Sequence, residues 1–248
     1  MNKKIRLFLM LLVLVLSVGS ASAQKKIYIV SAGIADYPGT NMDLTLCAND
    51  AVTIKGVFAK NKRSNTILLT NSQATRAAVL AALQQQFAKA TKNDAILFFF
   101  SGHGSPGNLV CYDGELDYHS IKNIMAKSKA RSKMIFADAC FSGKMRNEQR
   151  TQYNTSVPEN LRNTKVMFFL SSRSDETSIE RRDMKNGFFT AYLQRGLRGG
   201  ADTNKDRVVT ALELFKFVSK GVKNISEDRQ HPVMWGKFDN NMPVITWK

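Results

Sequence analysis

The chain alternates between short, almost wholly apolar runs and longer stretches in which apolar residues recur every three or four positions. The short runs are strand-like: Lys26 to Ala32, Ile67 to Leu69, Ala95 to Phe100, Leu109 to Tyr112, Met134 to Ala137 and Val166 to Leu170, with a last extended piece over Gln230 to Trp235. A run such as Ala95-Ile96-Leu97-Phe98-Phe99-Phe100 has no polar alternation, the pattern of a strand covered on both faces. The longer stretches are helical. One opens at Asn49 or Asp50 and puts Ala51, Ile54, Val57 and Phe58 on one stripe. Thr75 to Ala90 does the same with Val79, Leu80, Leu83 and Phe87, and further helices are predicted over Asp117–Lys127, Phe188–Leu197 and Ala211–Val222. Strand and helix in alternation predict an α/β domain of three α/β/α layers around a mostly parallel sheet.

Two segments break this rhythm. Leu7 to Val18 is a continuous apolar run behind Lys3, Lys4 and Arg6 and ahead of Ala21-Ser22-Ala23. It is short for a membrane span, and its flanks are those of a secretory leader. Residues 1–23 are therefore expected to be a signal peptide and Gln24 the mature N-terminus of an exported bacterial protein, periplasmic or secreted. No Cys follows the cleavage site, so no lipid anchor is expected there. The second segment, 144–165, has almost no apolar periodicity and carries Lys144, Arg146, Arg150, Arg162 and Lys165 with Pro158. A stretch of that length without its own structure inside a compact domain is functional or disordered. The rest of 24–248 reads as a single domain, with no linker composition and no internal repeat.

Chemistry gathers at the ends of two predicted strands. One runs into Asp138-Ala139-Cys140-Phe141-Ser142-Gly143 and the other into Ser101-Gly102-His103-Gly104. Strands of one parallel sheet end on the same edge, where open α/β sheets keep their sites. Cys140 and His103 can meet there although 37 residues separate them. A thiol beside an imidazole is the minimum apparatus for nucleophilic catalysis. The glycines flanking His103 read as a sharp turn that leaves the imidazole uncovered. Asp138 shares a strand face with Cys140, two residues on. A carboxylate at that depth is costly without a role or a partner; the other reading of Asp138 is a strand-end cap or a structural salt bridge.

Ser-Gly-His-Gly followed by Asp-Ala-Cys-Phe-Ser-Gly resembles the caspase-fold cysteine peptidases (peptidase C14), and within them the metacaspase-like branch, over most of the chain after the leader. The caspase signature has Gln two residues before the Cys; Asp138 at that position is the metacaspase form. The resemblance implies a caspase-like three-layer fold and a cysteine-type endopeptidase. Cys140 would be the nucleophile, His103 the proton carrier, and the backbone N–H groups of Gly104 and Cys140 the oxyanion donors. Cys47-Ala48-Asn49-Asp50-Ala51 is similar to the family's Cys-x-x-Asp segment, and Ser101 matches the Ser two residues before its His. By that likeness Cys47, Asp50, Ser101 and Asp138 line the pocket for the residue preceding the cut bond. Two carboxylates there select Arg or Lys through charge-assisted hydrogen bonds. In relatives the position of 144–165 is a linker that is often cut on activation, and its own basic residues are candidate sites for self-cleavage of a zymogen.

The chemistry calls for no cofactor. Calcium enters through Asp202-Thr203-Asn204-Lys205-Asp206-Arg207-Val208-Val209-Thr210-Ala211-Leu212-Glu213, which has EF-hand ligand spacing at Asp202, Asn204, Asp206, Thr210 and Glu213 but Arg207 where that loop wants Gly. The other reading is a polar turn with Thr210 and Glu213 as a capping box. Metacaspase relatives can also use calcium at a separate acidic site, to which Asp113 and Asp117 are the thin local candidates. The formal charge is +16, and without the three leader cations 33 basic residues face 20 acidic ones. They are scattered and not interleaved with aromatics, so the partners expected are protein or peptide substrates with Arg or Lys before the cut bond, not nucleic acid, and no membrane anchor remains after leader removal. Three Cys (Cys47, Cys111 and Cys140) leave at least one thiol free. A catalytically silent caspase-like binding module is the rival from another class, disfavoured by the presence of Cys140, His103 and the pocket acids together. A thiol–disulfide oxidoreductase is disfavoured because no Cys-x-x-Cys is present.

Overall fold

The computed structural model describes residues 26–140, 165–172 and 183–247, with Thr40 and Cys140 described by their backbone. The expected leader, and the expected linker apart from Lys165, lie outside the described residues. Six strands form the main path of one sheet. In spatial order they are β2 (Ser64–Thr70), β1 (Ile27–Gly33), β3 (Ala95–Ser105), β6 (Ser132–Cys140), β7 (Met167–Leu170) and β9 (Val233–Trp235). All neighbours are parallel except β7 and β9. A small antiparallel extension, β4 (Asn108–Cys111) and β5 (Gly114–Asp117), hangs from the end of β3.

The apolar runs cover both faces because helices pack on both. Alternate residues of β3 go to opposite cores. Ile96, Phe98 and Phe100 join a cluster with Val79, Leu83 and Phe87 of α2 (Arg76–Phe87) and Ile121 and Met125 of α3 (Tyr118–Lys127). Ala95, Leu97 and Phe99 join the other cluster, with Ala51, Ile54, Val57 and Phe58 of α1 (Cys47–Ala59), Phe189 and Leu193 of α4 (Phe188–Arg195), and Leu214, Val218 and Val222 of α5 (Ala211–Ile225). Truncating one of these wholly buried phenylalanines to Ala is worth roughly 3–5 kcal/mol. This is the expected three-layer α/β/α architecture with a mostly parallel sheet. No helix among the described residues is long and apolar enough to cross a membrane.

The differences from the sequence reading have local causes. α1 begins at Cys47, with Asp50 inside its first turn, and not at Asn49 or Asp50. Thr75 and Asp117 are N-caps: each side chain accepts the backbone N–H three residues on, from Ala78 and Ser120. β5, β8 (Val208–Thr210) and β10 (Pro243–Thr246) escape the hydrophobic pattern because they are three or four residues long and only partly buried. β8 and β10 pair with each other apart from the main sheet. The largest correction concerns the histidine. The chain does not turn at Gly102-His103-Gly104; β3 stays extended to Ser105, held by β4 on one side (Gly104 opposite Leu109) and β6 on the other.

Candidate active site

The β3–β6 ladder runs in parallel register through nine rungs. Its last three pair Ser101 with Asp138, Gly102 with Ala139 and His103 with Cys140. Ser101 and His103 continue the face that Ala95, Leu97 and Phe99 give to the α1, α4 and α5 core; Asp138 and Cys140 continue the face of Met134 and Phe136. The site is thus one sheet face that changes from apolar to polar at the carboxyl edge.

His103 is gripped by the loop between β1 and α1. Its Nε2 lies 2.6 Å from the Met42 carbonyl oxygen. A carbonyl only accepts, so Nε2 carries the proton and in the neutral ring Nδ1 is the free base. The Tyr37 ring lies beside the imidazole, centroids 4.9 Å apart, and the His103 backbone N–H donates to the Tyr37 hydroxyl at 2.9 Å. Gly104, the expected oxyanion donor, is the next residue of β3, in the rung with Leu109.

The expected pocket residues converge below this point. Asp50 is 1 % exposed and Asp138 6 %. Ser101 Oγ donates to Asp50 Oδ2 at 2.9 Å. Asp50 Oδ1 accepts from Asn186 Nδ2 at 2.8 Å and from the Gly187 backbone N–H at 3.2 Å. Asp138 Oδ2 accepts from the Thr190 hydroxyl at 2.7 Å and the Thr190 backbone N–H at 3.2 Å. The N-terminus of α4 therefore faces both carboxylates, the end of a helix that favours negative charge. Burial, and after it the charge of Asp138, hold the Asp50 carboxyl well above the usual carboxylate range, against the donors from Asn186, Ser101 and Gly187. Gly187 is there for space: a Cβ on it would lie 2.9 Å from Asp138 Oδ2 and 3.5 Å from Asp50 Oδ2. Cys47 is buried one turn before Asp50 on α1. Cys111 is buried in the opposite core, and burial pushes its thiol up to about 12.

Most oxygens of the calcium candidates accept hydrogen bonds within their own loop. Both oxygens of Glu213 accept hydrogen bonds, Oε1 from Thr203 and Oε2 from Thr210, and the latter belong to the capping box of α5. Asp202 Oδ2 takes the Arg207 N–H, Asn204 Oδ1 the Asp206 N–H and Asp206 Oδ1 the Val208 N–H. Asp202 Oδ1 is buried without a hydrogen bond. Arg207 adopts φ +67°, the conformation an EF-hand gives to Gly. Asp113 accepts the Arg76 N–H and pairs with its guanidinium, and Asp117 is spent as the α3 cap. Among the described residues no group of three or more His, Cys, Asp or Glu side chains gathers as a metal cluster.

The caspase-domain family model, Peptidase_C14, matches residues 29–242. This chain belongs to the caspase-domain family of cysteine peptidases. Solved structures agree on the fold of this caspase domain. Caspase-1 from Spodoptera frugiperda superposes with a TM-score of 0.66 at 14% identity, covering 89% of this chain and 90% of that one. The structure of pro-Sf-caspase-1 gives 0.66 at 14% identity, covering 89% and 95%. Protein GSU0716 from Geobacter sulfurreducens gives 0.64 at 16% identity, covering 90% and 100%. No curated protein matches the chain.

The site contains groups that sequence reasoning did not name. Met42 acts through a backbone carbonyl, which no residue identity announces. Tyr37 appears in sequence only as part of a polar loop. Asn186, Gly187 and Thr190 carry one visible signal, the Asn-Gly pair immediately before an apolar helix, which marks a helix N-terminus without saying what it faces.

Proposed function

We propose that this caspase domain is an exported cysteine endopeptidase that hydrolyses peptide bonds after Arg or Lys. Cys140 supplies the nucleophile and His103 the acid–base group. The thiolate attacks the scissile carbonyl carbon, and the oxyanion takes backbone N–H bonds from Gly104 and Cys140. The imidazolium gives its Nδ1 proton to the leaving amine, which departs as the thioester forms. Water then attacks the thioester with His103 as base and returns the thiol. Throughout, the Met42 carbonyl holds the Nε2–H, so the ring charges without turning. Asp50 and Asp138, with Ser101 and Cys47, receive the basic side chain before the cut bond. Cleavage within 144–165 converts the zymogen. No metal takes part in the chemical steps.

The observation that carries this reading is the β3–β6 register. One ladder sets His103 beside Cys140 and, one same-face position earlier, Ser101 beside Asp138. The test is purified mature protein, wild type and Cys140→Ala, against fluorogenic peptides ending in Arg, Lys or Asp, with calcium or a chelator. Cleavage after Arg or Lys that vanishes in the variant is expected. Cleavage only after Asp overturns the pocket. No cleavage by either intact or deliberately nicked protein overturns the enzyme reading in favour of a binding module.

A further inference from the structure

Tyr37 does more than fill the core behind the histidine. Its hydroxyl accepts the His103 N–H at 2.9 Å and donates to the Val110 carbonyl at 2.9 Å, so one phenol ties β3 to β4 at the catalytic rung. Its ring packs on the imidazole at 4.9 Å, tilted by 45°. The residue is 4 % exposed, and burial raises its hydroxyl far above the ordinary tyrosine range, so it stays protonated and keeps both bonds. The loop that delivers it is itself tied down. The Tyr37 N–H donates to Asp43 Oδ1, the Leu44 N–H to the Ala35 carbonyl, and the N–H groups of Ala35 and Asp36 to Asn71 Oδ1. The same loop supplies the Met42 carbonyl to Nε2. The first glycine of Ser-Gly-His-Gly fits this arrangement. A Cβ on Gly102 would lie 2.6 Å from the Tyr37 hydroxyl and 3.1 Å from the Phe100 ring. That glycine makes room for the tyrosine in a strand that does not turn.

We propose that Tyr37 is a positioning residue for His103, holding its backbone and ring so that Nε2 stays on the Met42 carbonyl and Nδ1 stays free to exchange protons with Cys140. This rests on the reading of His103 and Cys140 as the dyad. Misplacing a catalytic group by about 1 Å costs on the order of a hundredfold in rate. Tyr37→Phe keeps the ring but leaves the His103 N–H and the Val110 carbonyl without their shared partner. The expected result is a kcat lower by roughly 10- to 100-fold with KM within about twofold, because Tyr37 acts on the base and not on the acidic pocket.

The decisive measurement is alkylation of Cys140 by iodoacetamide, followed by mass spectrometry of its peptide, in wild type, Tyr37→Phe, His103→Ala and the double variant. If Tyr37 acts through His103, the single variants slow alkylation and the double variant is no slower than His103→Ala alone. Additive losses, or a Tyr37→Phe enzyme with wild-type kcat, overturn the proposal. Should Tyr37→Phe fail to fold, Gly102→Ala, which crowds the hydroxyl from the other side, must give the same kcat loss and the same non-additivity. A wild-type protein whose alkylation is indifferent to His103→Ala fails earlier, at the dyad itself, and is thereby told apart from a failure of Tyr37.

Discussion

Replacing Asp50 by Asn removes the titrating group from the buried pair and little else. The side chains are isosteric; Asn Oδ1 can keep the bonds from Asn186 and Gly187, and the Ser101 hydroxyl can rotate to accept from Asn Nδ2. The positions flanking Gly187 put Asp50 Oδ2 and Asp138 Oδ2 within about 6.5 Å of each other. At an effective dielectric of about 20, two unit charges that close repel by about 2.5 kcal/mol. Asp50→Asn, made in a Cys140→Ala background to prevent self-cleavage, should therefore be more stable than its parent at neutral pH by about 2 kcal/mol, a rise of roughly 4–8 °C in Tm for a domain of this size. The sign depends on pH. The folded carboxyl binds its proton more tightly than the unfolded one, so its stabilising contribution is complete below the ordinary Asp range near pH 4 and is lost as pH rises through the elevated value. Asn does not titrate, so the gap between variant and parent should be small at pH 4 and widen toward pH 8. Urea denaturation across that range measures it. In the Cys140 enzyme the same substitution should lower kcat/KM after Arg by at least about 30-fold, or 2 kcal/mol, the loss of one member of a buried charge pair. A variant less stable than its parent at pH 8 refutes the repulsion, and undiminished turnover of Arg peptides refutes the placement of Asp50 in the pocket.

Thr190→Val removes the 2.7 Å hydroxyl bond to Asp138 Oδ2 and keeps the backbone N–H; denaturation should show a loss of about 1–3 kcal/mol at neutral pH. Gly187→Ala places a methyl group 2.9 Å from Asp138 Oδ2, and in steady-state assays should raise KM for Arg peptides with little change in kcat. Glu213→Gln weakens the α5 capping box and should cost about 1 kcal/mol. If the 202–213 turn holds itself by hydrogen bonds, that cost is the same in millimolar calcium and in chelator; a cost that appears only with calcium makes Glu213 a ligand.

The sheet was legible because its central strands are continuous apolar runs, which two flanking helix layers require. β5, β8 and β10 were not, because strands of three or four half-buried residues carry too few positions for a period. That Cys140 and His103 share an edge followed from parallel topology alone. How His103 is held did not. Its partners are a carbonyl, at Met42, and a phenol arriving from a loop 66 residues away in sequence. The Asn186–Asp50 bond spans 136 residues and depends on where α4 begins, which a hydrophobic pattern locates only to within a few residues. Gly102 was misread for a physical reason: a glycine needed for a neighbour's hydroxyl looks in sequence the same as one needed for a turn.

The ladder that bears the proposed dyad also bears two of the proposed pocket residues, Ser101 and Asp138, and this has a consequence for change in this domain. Many peptidases vary their selectivity by exchanging loops while the chemistry stays put. Here, on the reading proposed above, residues of selectivity and of chemistry alternate along the same two strands, two residues apart. A slip of one rung in β6 would set Ala139 beside His103 and turn Asp138 and Cys140 to the opposite face. Loss of nucleophile and loss of specificity would arrive as one event. Moving such a site to another scaffold would mean transplanting this pair of strands in register together with α1, which carries Cys47 and Asp50, and the loop that carries Met42.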